Sequence, residues 1–237
     1  MISRRPERSI NIRGDSASFL LVIGNKRYSS WSLRPWLLLK RLGVAFEEIL
    51  VPLRTPEAED LKRRNCPSGR VPTLHHGNVI VWESLAICEY LADLFPDRLL
   101  RPADPGKRAE ARSIACEMHA GFTALRSNMP CNVAISMTDK SRNKDVDRDI
   151  ARIEAIWTKC REAHSQSGPF LFGHFTIADA MFAPVAIRFR AYGVELPGRA
   201  GEYGKTMLAL PAMQEWIEAG RNETWRVTVY EPPFEAA

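Results

Sequence analysis

RVPTL at residues 70–74 and WESLAI at residues 82–87 are the two segments that decide the predicted fold of this chain. The first predicts a strand that turns at a proline, and the second predicts a strand that runs directly into a helix. Between them lies a short hairpin, His75 to Asn78. A backbone edge opened by a proline would therefore lie beside a helix N-terminus marked by Glu83 and Ser84. We expect the two together to hold a small peptide-like anion.

The composition limits the classes of protein to consider. The chain has 237 residues with 45% hydrophobic and 26% charged content and a net charge of +5, enough for one large domain or two modest ones. No run approaches the roughly 20 apolar residues that cross a bilayer. Lys and Arg alternate with Asp and Glu instead of forming a basic stripe. We therefore expect neither a membrane nor a nucleic-acid partner.

The cysteines predict neither disulfides nor a metal site. None of the five forms a C-x-x-C pair or a Cys/His cluster with metal-ligand spacing. Their number is odd and no signal peptide precedes them, so buried free thiols, a cytoplasmic location and no bound metal are expected. They are Cys66, Cys88, Cys116, Cys131 and Cys160.

The first half of the chain predicts the order β-α-β-α-β-β-α. The continuous apolar run at residues 18–24 is typical of a strand buried on both faces. The helix that follows should begin near Ser30 to Ser32 and hold Pro35 in its first turn, where the missing N–H is tolerated. The remaining predicted elements are strand 44–53, helix 57–64, a hairpin of strands 71–74 and 79–82, and helix 84–94.

The second half predicts helices almost throughout. A proline-rich, charged segment, residues 96–105, marks the domain boundary. Predicted helices follow at 105–137 (one long helix or a kinked pair), 145–164, 176–189 and 211–220. Thr176 and Asp179 form a capping-box start for the third of these. The predicted organisation is a disordered tail (1–17), an α/β domain (18–98) and an all-α domain (105–231).

This order of elements, with Val71-Pro72 before the third strand and Glu83-Ser84 opening the third helix, resembles the cytosolic glutathione transferase family. The likeness covers roughly residues 18–225. The loop at residues 25–36 is similar to that of serine-type bacterial, tau and zeta members, and FTIAD at 175–179 resembles the capped core helix of the family. The resemblance implies a thioredoxin-like domain followed by an α-helical bundle, glutathione as co-substrate, no metal, and a homodimer.

Val71, Pro72, Glu83 and Ser84 are the predicted glutathione-binding residues. A cis bond before proline costs only about 0.5–1 kcal/mol. It would turn the Val71 peptide groups outward so that an extended peptide could pair with them, as in the family. In that family the acidic residue and the serine hold the γ-glutamyl end. From the residues alone, a trans proline at an edge strand and an ordinary serine cap are the alternatives.

Arg70 stands where related members often carry lysine or glutamine. Arg70 has two possible roles: it contacts the glycine carboxylate of glutathione, or it is simply solvated.

Ser29 is the predicted catalytic residue, with Ser30 as the neighbour that is not excluded and Tyr28 as a third choice. A hydroxyl at a helix N-terminus donates a hydrogen bond to a thiolate and so lowers the thiol pKa, and the helix dipole adds to this effect. Counting back from Arg34, the matching arginine of the family, the resemblance gives Ser29. A role in helix capping alone is the structural alternative.

Three functions are compatible with these residues. The first is conjugation of the glutathione thiolate to an electrophilic small molecule. The second is glutathione-dependent cis–trans isomerisation of a maleyl-type substrate, for which Arg126 or Arg188 would bind carboxylates. The third is a non-catalytic binding protein with the same fold. The loop lacks a cysteine, which argues against the cysteine-type reductases, and Trp31 replaces the cysteine of the zeta-type triplet.

Overall fold

The computed structural model describes residues 18–137 and 142–232, and the tail predicted for residues 1–17 lies outside them. The first half forms a four-stranded sheet with strand order β2-β1-β3-β4, in which β1 and β2 are parallel and the other pairs antiparallel. Its elements are β1 (Phe19–Gly24), α1 (Ser30–Leu42), β2 (Phe46–Val51), α2 (Pro56–Asn65), β3 (Thr73–His76), β4 (Val79–Trp82) and α3 (Ser84–Leu94).

The apolar run of β1 is explained by two cores on opposite faces of the sheet. Successive side chains of a strand point to opposite faces. Leu21 and Ile23 accordingly join the large core with α1 and α3, whereas Val22 packs into a small core with Ala58 of α2 and Cys66. The predicted strand buried on both faces is thus confirmed.

The second half is helical, as predicted. Its helices are α4 (Pro105–Ala120), α5 (Thr123–Asn128), α6 (Lys144–His164), α7 (Ile177–Ala191), α8 (Gly198–Ala209) and α9 (Pro211–Asn222), with short 3₁₀ turns at residues 96–98, 165–167 and 228–230. Helix α7 is buried along nearly its whole length and packs against α1, which joins the two halves. No helix within the two described ranges is both long and apolar enough to cross a membrane.

Three local predictions differ from the structure. Of the one long helix or kinked pair expected over residues 105–137, the pair is present: α4 ends at Ala120, Phe122 adopts a left-handed conformation (φ 60°), and α5 ends at Asn128 instead of near Met137. Helix α1 begins at Ser30, within the predicted start, but Pro35 is its sixth residue and therefore lies in the second turn instead of the first. The third strand begins at Thr73 instead of Val71, and His75 and His76 belong to it.

Helix α8 was not predicted, because its three glycines lower the helix propensity of the segment. Of these glycines, Gly201 is required by a close backbone contact, Gly204 makes an ordinary packing contact, and Gly198 has no neighbour within 4 Å. A Cβ on Gly201 would lie 2.1 Å from the Leu196 carbonyl oxygen, and one on Gly204 would lie 3.5 Å from the Trp157 ring. Ala200, Tyr203 and Met207 are buried on the inner face.

The five cysteines are free thiols, and Cys116 is exposed where burial was expected.

Candidate functional site

The N-terminus of α1 is built by the loop that follows β1. The Asn25 carbonyl accepts hydrogen bonds from the N–H groups of Tyr28 and Ser29, at 3.1 and 2.8 Å, which turns the chain into the helix. Ser29 is the N-cap, and its Oγ accepts from the Ser32 N–H at 3.4 Å. Ser29 and Ser30 therefore both stand at the positive end of the helix dipole, where an anion is stabilised.

A buried second hydroxyl determines how Ser29 can bond. Ser32 is fully buried, its Oγ accepts from the Gly24 N–H at 3.1 Å, and the Ser29 and Ser32 hydroxyl oxygens lie 2.8 Å apart within a hydrogen bond. A serine has one donor and two acceptor sites, so either hydroxyl can donate in this pair. When Ser32 donates, Ser29 accepts twice and its own proton is free for a ligand.

Tyr28 is held by the C-terminal segment. Its hydroxyl donates to the Glu231 carboxylate and accepts from the Val227 N–H, and its ring lies 5.6 Å from that of Tyr230. Burial and the Glu231 hydrogen bond raise the pKa of Tyr28 to about 12. These contacts occupy the hydroxyl, so Tyr28 is a poorer donor to a thiolate than either serine.

The same C-terminal segment holds the loop in place through hydrogen bonds to Glu223. Its carboxylate accepts from the backbone N–H groups of Lys26 and Arg27, at 2.6 and 3.1 Å, and from Asn25 Nδ2 at 3.4 Å. Helix α9 lies so close that a Cβ on Gly220 would be 2.8 Å from the Arg27 nitrogen. The position of the loop, and hence of Ser29, therefore depends on residues about 200 positions later in the chain.

We expect Glu223→Ala to lower the free energy of unfolding by about 2 kcal/mol and the Tm by about 4–8 °C, because two loop N–H groups lose a charged acceptor. Thermal unfolding followed by circular dichroism measures this. Glu215→Ala is the matched control, since it removes from α9 only a solvent-exposed ion pair with Lys40 and should cost under about 1 kcal/mol. Equal losses of stability in the two variants would contradict the role of Glu223 in holding the loop.

The peptide bond between Val71 and Pro72 is cis, as expected. Val71 precedes Thr73, where β3 begins to pair with Val22 of β1 and Trp82 of β4. Its peptide groups therefore lie outside the sheet ladder.

Ser84 and Glu83, at the start of α3, contact side chains of α1 and α4, respectively. Ser84 is fully buried, and its Oγ accepts from Arg34 Nη1 at 3.4 Å. Glu83 is half exposed and lies 3.9 Å from His119 Nε2. Arg34 is also fully buried, and its Nε and Nη2 have no hydrogen-bond partner among the described residues. Burial and the charges of Arg126 and Arg188 lower the Arg34 pKa well below its usual value.

A cleft of about 360 Å³ lies between the two halves of the protein. It brings together four of the seven predicted site residues, Ser29, Ser30, Arg70 and Val71. The other three, Pro72, Glu83 and Ser84, do not line it. Residues that the sequence did not point to also line the cleft, and no local motif marks them: Leu53, Lys62, Gly69, Pro130, Cys131 and Tyr230.

Trp31 forms part of the cleft wall and is surrounded by cations. The guanidinium carbons of Arg34 and Arg126 lie 4.4 and 4.7 Å from the centre of its ring, and the His119 ring lies 5.3 Å away, edge-on. Burial and the Arg34 charge lower the pKa of His119, so this imidazole is neutral at pH 7. Within the described ranges, no three His, Cys, Asp or Glu side chains gather as a metal site.

A thioredoxin-like domain joined to a helical domain, with a capped serine helix facing the interdomain cleft, defines a class of glutathione-binding folds. Two family models match the chain: the glutathione S-transferase N-terminal domain at residues 28–94 and the C-terminal domain at residues 143–219. Together they cover more than half of the chain, which belongs to the glutathione S-transferase family.

Two relatives are similar to parts of the chain. Protein LigF of Sphingobium sp. (strain NBRC 103272 / SYK-6) is 45% identical over 84 residues, 34% of this chain and 33% of LigF. A probable maleylacetoacetate isomerase of Caenorhabditis elegans is 39% identical over 98 residues, 41% of this chain and 45% of the isomerase. The matches therefore span less than half the length of these relatives.

Solved structures of the family have the same fold. A glutathione transferase homologue from Burkholderia (BGR1), solved with bound glutathione, has a TM-score of 0.66 and 24% identity, over 87% of this chain and 100% of its own. A Tau class glutathione S-transferase from mango has a TM-score of 0.68 and 20% identity, over 86% and 96%. At these identities the likeness establishes the fold.

Proposed function

We propose that this protein is a glutathione transferase that joins the glutathione thiolate to an electrophilic small molecule, with Ser29 as the residue that activates the thiol. One observation carries the proposal: the Ser29 hydroxyl, at the N-terminus of α1, lines the same cleft as Val71. A peptide that extends along Val71 would have its thiol within reach of the helix N-terminus.

The proposed chemistry needs a lower thiol pKa and an electrophile held beside the sulfur. A free cysteine thiol has a pKa of about 8.5, so little thiolate exists at neutral pH. The Ser29 O–H donates to the thiolate, and the α1 dipole stabilises the same charge. The thiolate then attacks the electrophilic carbon, a carbon–sulfur bond forms, the leaving group departs with its electron pair, and the thiol proton goes to solvent.

The buried pair Ser84 and Arg34 supports the binding of an anionic end of glutathione. Arg34 carries a buried charge with two unpartnered nitrogens among the described residues, and Ser84 opens α3 with free backbone N–H groups. A carboxylate at this helix N-terminus would balance the charge of Arg34. Glu83 would hold the amine of the same γ-glutamyl end.

We expect Ser84→Ala to raise the KM for glutathione by about tenfold and to change kcat little, because the lost hydrogen bond serves binding and not the reacting sulfur. Initial rates at varied glutathione concentration measure both constants. Ser113→Ala, an exposed hydroxyl on α4 that donates to the Ala109 carbonyl, is the control. A loss confined to kcat would contradict the binding role of Ser84.

Glutathione-dependent isomerisation of a maleyl-type diacid is the second candidate. It is supported by the similarity to the probable isomerase and by Arg126 and Arg188 in the cleft. Rates of conjugation to an aryl halide and of isomerisation of a maleyl diacid, measured side by side with glutathione, decide between the two. Retention on immobilised glutathione without turnover in either assay would indicate a binding protein. The domain limits, the homodimer and the cytoplasmic location stay predictions.

A further inference from the structure

The charged side chains that line the cleft are all positive. Four of its lining side chains are cationic, and no Asp or Glu of the described ranges lines it. Lys62 and Arg70 lie on the side of the thioredoxin-like half, where Lys62 pairs with Glu59 at 2.6 Å. Arg126 on α5 and Arg188 on α7 lie on the side of the helical half. Glutathione bound along Val71 would occupy the first side and leave the second to the other substrate.

Arg126 and Arg188 are each held by uncharged oxygen atoms: backbone carbonyls for both, and the Ser30 hydroxyl in addition for Arg188. Arg188, which is 4% exposed, donates from Nε to the Met129 carbonyl at 2.9 Å and from Nη2 to Ser30 Oγ at 3.3 Å. Arg126 donates from Nε to the Gly121 carbonyl at 2.9 Å and from Nη2 to the carbonyls of Met118 and His119. Among the described residues, neither Nη1 has a hydrogen-bond partner.

Among the described residues, neither arginine forms an ion pair with a carboxylate. Asp149, the acid that acts on Arg126, already accepts a hydrogen bond from the Leu125 N–H at 3.0 Å. Burial, and after it the charge of Arg188, lowers the pKa of Arg126 to about 10. A buried charge without a counter-ion is costly, so an anion that enters between the two groups is strongly favoured.

We propose that the second substrate of this protein carries a carboxylate, which is held by Arg126 and Arg188 beside Ser30 while glutathione occupies the Val71 side. The inference rests on the proposed glutathione-dependent function and adds the chemical class of its second substrate. Two guanidinium groups with one free nitrogen each, one of them bonded to the serine next to Ser29, would place an anionic electrophile with its reactive carbon near the sulfur.

A pair of aryl chlorides that differ in one carboxylate tests this. The wild-type protein and its variants are assayed with glutathione and either 2-chloro-1,3-dinitrobenzene or 4-chloro-3,5-dinitrobenzoate, and the ratio of kcat/KM (acid over neutral) is compared among proteins. We expect Arg126→Met and Arg188→Met each to lower this ratio by about ten- to a hundredfold, as for the loss of a charge-assisted hydrogen bond. An unchanged ratio in both variants would overturn the proposal.

Arg190→Met is the matched control. Arg190 is also on α7 and also donates to a backbone carbonyl, that of Val133 at 2.7 Å, but it does not line the cleft. Its ratio should stay within about threefold of wild type, and an equal fall in all three variants would overturn the proposal. If a methionine variant does not fold, Arg188→Lys keeps the charge but not the fork geometry and should lower the ratio about three- to tenfold. An unchanged ratio would again contradict it.

The anion subsite can be tested without turnover by measuring the binding of 3,5-dinitrobenzoate calorimetrically, with S-methylglutathione at saturation. Binding to the wild type that is lost in Arg126→Met and Arg188→Met and kept in Arg190→Met supports the anion subsite, even if no conjugation occurs and the proposed function fails. Displacement of the acid by S-methylglutathione would show that the arginines bind glutathione, and no binding to the wild type would show that they form no anion subsite. Either result would overturn the proposal.

Discussion

Ser29→Ala is expected to lower kcat by about 10²–10³-fold and to change the KM for glutathione by less than about threefold. The size is that of removing one preorganised donor to a developing or resident anion. The expectation follows from the position of Ser29 as the N-cap of α1, with its oxygen 2.8 Å from that of the buried Ser32. When Ser32 donates in this pair, the Ser29 proton is free for the thiolate. Steady-state conjugation rates at saturating electrophile measure the effect.

Ser30→Ala is the matched control for this variant. Ser30 lies one residue further along and also lines the cleft, but its Oγ accepts from Arg188 at 3.3 Å. Its removal should lower kcat by no more than about tenfold, because Ser29 would still donate to the sulfur. Full activity in Ser29→Ala together with a large loss in Ser30→Ala would move the catalytic role to Ser30.

Asp179→Ala should lower the free energy of unfolding by about 3–5 kcal/mol, a large part of the roughly 5–15 kcal/mol of a typical domain. Asp179 is fully buried, and its two oxygens accept four hydrogen bonds. The donors are the Leu171 N–H (3.0 Å), the Thr176 N–H (2.8 Å) and hydroxyl (3.0 Å), and the Tyr203 hydroxyl (3.1 Å). Urea unfolding followed by tryptophan fluorescence measures the loss.

Asp145→Ala is the control for Asp179→Ala, because Asp145 also lies in the first turn of a helix but is exposed and pairs with Arg148. It should cost less than about 1 kcal/mol. A loss of stability in Asp179→Ala no larger than in Asp145→Ala would show that the buried network of Asp179 does not stabilise α7.

Local chemistry made part of the fold predictable. Strand β4 and helix α3 have the limits predicted from the sequence, and the capping box of Thr176 and Asp179 is present in the structure. Helix α8 was missed because packing against Trp157 and Leu196 outweighs the low propensity of its glycines, which no local pattern indicates. The sequence allowed a kinked pair over residues 105–137 but did not place the break at Phe122, since the helical spacing of apolar residues continues through it.

The candidate site also contains residues that the sequence could predict and residues that it could not. Ser29, Ser30 and Val71 belong to short local motifs, so the sequence could point to them. Tyr230 lines the cleft only because the C-terminal segment folds back over the loop. The cationic character of the cleft depends on Arg126 and Arg188 meeting across two helices. Sequence reasoning could offer these arginines as carboxylate ligands but could not show that they lack acidic partners.

That Ser29 lowers the thiol pKa of bound glutathione is tested most directly by ultraviolet titration of the thiolate in complexes of the wild type and of Ser29→Ala. We predict a midpoint at least about one unit below 8.5 for the wild type and a return to near 8.5 for the variant. The same depressed midpoint in both proteins would contradict the assignment of Ser29.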